Sequence, residues 1–65
     1  MASNIKGTTN ESLLETMDNV STALKIAGKY DMEVEVIATA MIFLKENPDA
    51  SIETALNAGL GDWDV

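Results

Sequence analysis

Val34-Glu35-Val36-Ile37-Ala38-Thr39-Ala40-Met41-Ile42-Phe43-Leu44 is the stretch on which the fold turns, and only Glu35 and Thr39 in it are polar. Two readings compete. From Met32 to Val36 apolar and acidic residues alternate, which is the period of a half-buried strand. The alternation fails at once over Ile37-Ala38-Thr39-Ala40-Met41, and the chain offers no second strand to pair with it. A helix from about Met32 to Glu46 is therefore expected. Glu33 and Glu35 in its first turns and Lys45 in its last match the helix dipole. Asp31 is the expected N-cap.

This helix is apolar nearly all round. Val34, Ile37, Met41 and Leu44 share one face, Val36, Ala40 and Phe43 a second, and Ala38 and Ile42 a third. A surface helix needs only one apolar stripe, whereas a helix apolar on every side must be covered on every side. Two short companion helices cover about two sides, so the remainder must meet another chain or stand as an exposed patch.

Upstream, Leu13, Met17, Val20, Leu24 and Ala27 recur at spacings of four and three, and Leu14 and Ala23 widen the stripe. They predict a helix over about Glu11 to Ala27 with this stripe as its core side. Glu11, Glu15 and Asp18 form a separate acidic stripe, and Lys25 and Lys29 sit at the other end. Gly28, or the Lys29-Tyr30-Asp31 segment, is expected to end the helix. Residues 1–9 read as a flexible arm, with Ile5 its one clearly apolar side chain, and residues 10–65 as the three-helix domain.

Downstream, Asn47-Pro48-Asp49 breaks the chain, because proline lacks the amide and clashes with the preceding turn. A short third helix is expected from about Ala50 or Ile52 to Ala58, capped by Asn47 or by Ser51 and stopped by Gly59 and Gly61. Ile52, Ala55, Leu56 and Leu60 form its apolar side. Trp63 is expected to fold back on the core or to dock on a partner. The fold class is all-α: a small three-helix unit with a central, largely apolar second helix and a short third helix.

Composition narrows the chemistry. A chain of 65 residues holds at most one domain and buries only about 60% of its unfolded surface. Small proteins add disulfides, a metal or a partner subunit. Cysteine and histidine are both absent, which removes disulfides, thiolate and imidazole metal sites and the usual general base. No nucleophile–base pair stands out: Lys25, Lys29, Tyr30 and Asp31 read as a helix C-terminus, and Ser51 with Glu53 as a helix start. Asp31, Glu33 and Glu35 with Asp62 and Asp64 lack the loop pattern of a calcium or magnesium site. No metal ligand or cofactor is therefore assigned.

The net charge is −7, with no arginine and no basic cluster, which argues against nucleic acid and anionic lipid as partners. No apolar run is long enough for a membrane helix, and the first residues lack a signal-peptide stretch, so a cytoplasmic protein is expected. The expected function is a non-catalytic interaction or assembly module, homo-oligomeric through helix two and most simply a C2 dimer. Its expected interface is Val34, Ile37, Ala38, Met41, Ile42, Leu44 and Trp63. The alternative is an acidic adaptor or inhibitor of a basic protein, using Glu11, Glu15, Asp18, Glu33 and Glu35 as a rim. A small divalent-metal protein or enzyme is the remote third reading.

Overall fold

A computed structural model describes residues 7–65. They form three helices, α1 (Gly7–Gly28), α2 (Glu33–Glu46) and α3 (Ile52–Asp62). The expected arm, including Ile5, lies outside the described residues except for residues 7–9, which begin α1. Turn-prone residues break a helix least in its first turn, where the amides have no intrahelical partners in any case.

The α1–α2 connection is sharper than the sequence suggests. Asp31 is not the N-cap of α2, a position held by Met32 without a side-chain hydrogen bond. Asp31 instead adopts φ 58°, in the left-handed region. The Met32 amide donates to the Ala27 carbonyl at 3.0 Å, and the Asp31 amide to the Gly28 carbonyl at 3.3 Å. These paired bonds are a Schellman motif, with Asp31 where glycine is usual and Gly28 still helical. The end of α3 repeats the device: Val65 donates to Leu60 at 3.1 Å, Asp64 donates to Gly61 at 3.2 Å, and Asp64 also has φ 58°. A side chain in this region is strained, and glycine is not. Asp31→Gly is therefore expected to stabilise the fold by about 0.5 kcal/mol after the extra entropy of the unfolded glycine is deducted. That corresponds to roughly 2–4 °C in the midpoint of a circular-dichroism melt.

Between α2 and α3 the chain turns at Asn47, with the Ala50 amide bonded to the Asn47 carbonyl at 2.9 Å. Ser51 is the cap of α3, its hydroxyl oxygen accepting from the Thr54 amide at 3.1 Å. The short turn makes α2 and α3 an antiparallel hairpin. α3 is the element that packs on both of the others, while α1 and α2 make few contacts with each other.

α3 also runs through both glycines expected to stop it. Gly59 is buried against α2, and a Cβ built on it would stand 2.6 Å from the Val36 carbonyl oxygen. The residue that looks like a helix stop is the one that lets two backbones touch.

Candidate interaction surface

Residue size is sorted in an unusual direction. The buried apolar residues are Ala23, Ala27, Ala40 and Ala55 with Val36 and Leu56. Among the described residues Val36 is the largest side chain that is fully buried. Among the larger apolar side chains, Met17 is 66% exposed, Val34 78% and Met41 56%, and Leu13 and Leu14 lie outside as well. Burial of apolar area is the main driving force for folding, and an alanine supplies far less of it than a leucine or methionine.

The stripe expected to be the core side of α1 is therefore inside only in its second half. Leu13, Leu14 and Met17 are exposed, Leu24 is half-buried, Val20 is half-buried against the core, and Ala23 and Ala27 are enclosed. The side that packs on α3 is rotated toward Ala23, with Thr16, Asn19 and Ile26 half-buried around it. The cause is proximity: alanine lets helices approach closely, and α1 turns its small residues to α3.

The exposed side chains are contiguous. A groove between α1 and α2 is lined by Leu24, Val34, Ile37, Ala38 and Met41, with Glu33 as its one charged residue. On α1 a shallower depression is lined by Met17, Val20 and Leu24, with Thr16, Ser21 and Lys25 beside them. Leu24 belongs to both, so the two form one apolar face across α1 and α2. Lys45 follows Met41 by one helical turn, on the same side of α2.

Four of the expected interface residues, Val34, Ile37, Ala38 and Met41, come together in this groove. Ile37 also packs on the core, as does Leu44. Ile42 is exposed about a quarter-turn further round α2. Trp63 lies elsewhere. Its indole N–H donates to the Thr39 hydroxyl at 2.8 Å, which folds it back on α2 and leaves it 40% exposed. Of the acidic residues, Glu11, Glu15 and Asp18 are exposed on α1, Glu33 is exposed at the groove, and Glu35 is half-buried.

Leu13, Leu14 and Met17 on α1 are the part of this surface that sequence reasoning placed inside. Ala23 and Ala27, four residues apart, marked the true packing side, but periodicity gives large and small apolar residues the same weight.

Other chemistry is sparse. Among the described residues no group of three or more carboxylates is placed to hold a metal ion. The clefts between α1 and α3 carry Asn19, Thr22, Glu53 and Asn57, with no histidine or cysteine anywhere in the chain to activate a nucleophile. No helix among the described residues is long and apolar enough to cross a membrane. No protein-family model, curated protein or solved structure matches this chain.

Proposed function

We propose that this chain is a non-catalytic assembly module that pairs with a second copy of itself through the apolar face shared by α1 and α2. One observation carries the reading: the fold encloses alanines and leaves Met17, Val34 and Met41 in contact with water. A contiguous apolar face of this kind marks an interaction site, and covering it supplies burial that the small core lacks.

Charge favours a second copy as the occupant. A chain of net charge −7 repels its own kind unless the contact is locally relieved. Two of its four basic residues, Lys25 and Lys45, border the apolar face. They favour an acidic surface and disfavour a basic one.

The second reading, capture of a basic protein, draws on the exposed Glu11, Glu15 and Asp18 of α1. Salt separates the two. Apolar self-pairing persists or strengthens as salt is raised, and acid–base capture weakens.

The test is sedimentation equilibrium across a hundredfold range of concentration. The expected mass is twice that of the 7.0 kDa chain. A single-chain mass throughout overturns the proposal.

A further inference from the structure

We infer that α1 is two folding units. Residues 16–28 fold with α2 and α3, and the turns before them, as far as Glu15, open and close independently of the rest. The inference concerns a single copy and does not rest on the pairing proposed above. Two observations carry it.

The first is where packing stops. Every residue from Asn10 to Glu15 is exposed, and Thr16 is the first half-buried residue after them. From there on α1 is held. Glu15 and Thr16 share a cleft with Ser51 and Ile52 at the start of α3. Ala23 and Ile26 share another with Leu56 and Leu60, and Leu24 meets the groove wall on α2. No residue from Asn10 to Leu14 lines any of these clefts. Leu13 and Leu14, the apolar side chains of the earlier turns, stand 55% and 66% exposed.

The second is the local sequence of those turns. A helical segment without tertiary contacts depends on its own propensity, and below about 12–15 residues that is marginal in water. Gly7, Thr8, Thr9 and Asn10 open α1, and all four are poor helix formers. The first turn holds no acidic residue. Glu11 is the fifth residue of the helix, past the turn in which the helix dipole acts. Glu11 and Glu15 are like charges one turn apart, which disfavours the helix further. Each hydrogen bond made by a side chain among the described residues lies at or after Thr39, so none ties these turns to the core.

Segments of few buried contacts open at low cost while the packed core stays closed. The boundary therefore falls where packing begins, at Thr16, and not where the turn-prone residues end, at Asn10. Any contact that Leu13 and Leu14 make is coupled to the folding of their own segment, and its affinity is lowered by the cost of ordering that segment.

Amide exchange on the full chain reads the two units residue by residue. The sample is one whose sedimentation gives the mass of a single copy, and Met41→Asp supplies it where the wild type pairs. Amides of residues 11–15 are expected to exchange within about tenfold of the rate of an unfolded chain, and those of residues 23–27 at least about 100-fold more slowly. Equal protection along α1 overturns the inference.

Proline substitution gives a second reading. Ser12 and Ser21 are both exposed on α1. Ser12→Pro is expected to leave the melting midpoint within about 2 °C of the wild type, because the turns that it breaks are not held by the core. Ser21→Pro breaks the packed unit and is expected to lower the midpoint by more than about 12 °C or to prevent folding. A Ser12→Pro protein that melts as low as Ser21→Pro joins the two units into one and overturns the inference.

Discussion

Met41→Asp is expected to turn the proposed dimer into folded monomers. Met41 lines the groove between α1 and α2 and is 56% exposed within one copy, so the fold itself asks little of it. Aspartate costs a helix roughly 0.5 kcal/mol relative to good helix formers, so the helical spectrum and most of the thermal stability of the single copy survive. Association is a different matter. A methionine side chain contributes about 1.5–3 kcal/mol on burial, and a two-fold interface loses it twice. The aspartate must also be desolvated opposite apolar side chains, a cost that Lys45 one turn away offsets only in part. A loss of about 3 kcal/mol or more corresponds to a dissociation constant raised at least about 100-fold. Sedimentation equilibrium with circular dichroism on the same samples reads both quantities. Asn57→Asp, a new carboxylate outside this face, is expected to leave the mass unchanged. A Met41→Asp protein that keeps the wild-type mass takes α2 out of the interface.

Gly59→Ala is expected to destabilise the fold by about 3 kcal/mol, against the direction that helix propensity alone predicts. Within a helix, alanine is better than glycine by about 1 kcal/mol. At Gly59 that gain is overwhelmed. The new methyl carbon would stand 2.6 Å from the Val36 carbonyl oxygen and 3.2 Å from a methyl of the same residue. Neither neighbour can swing aside as a long side chain does, because the first is backbone and the second is in the core. α3 must lift away from α2, and the contact that organises the hairpin opens. Gly61→Ala is the internal control. It lies in the same helix with nothing within 4 Å of the new carbon. It is expected to raise stability by about 0.5 kcal/mol, less than a mid-helix site because it sits in the last turn. Opposite shifts in melting temperature from two glycines two residues apart would tie the effect to packing. Equal and small shifts would mean that α2 and α3 do not approach as closely as described.

Several features of this fold were legible in the residues. The failure of alternation at Ile37 settled α2 as a helix, and Pro48 placed the break that follows it. Ser51 was recognisable as one of two caps because a serine three residues before a threonine amide is a local arrangement. Asp31 and Asp64 were not recognisable as left-handed residues, since glycine is the usual signal for that conformation. Gly59 was misleading for the opposite reason: its local meaning is a stop, and its actual role depends on Val36, in another helix and far from it in sequence. Of the surface, Val34, Ala38 and Met41 could be singled out because α2 has more apolar faces than two neighbours can cover. Trp63 could be given only as folded back or docked, and its hydrogen bond to Thr39 decides for the first.

The sequence by itself determined that the chain is helical, where its breaks fall, that it is strongly acidic, and that it carries more apolar surface than so short a chain can enclose. Those properties are set by local backbone preferences and by composition, which need no knowledge of neighbours. Which apolar residues were enclosed was decided only in three dimensions. Close helix contact selects for the smallest side chains, so Ala23, Ala27, Ala40, Ala55 and Gly59 took the interior. Leu13, Met17 and Met41, equally apolar and equally periodic, were left outside because helices brought together on alanine and glycine leave no room between them for longer side chains.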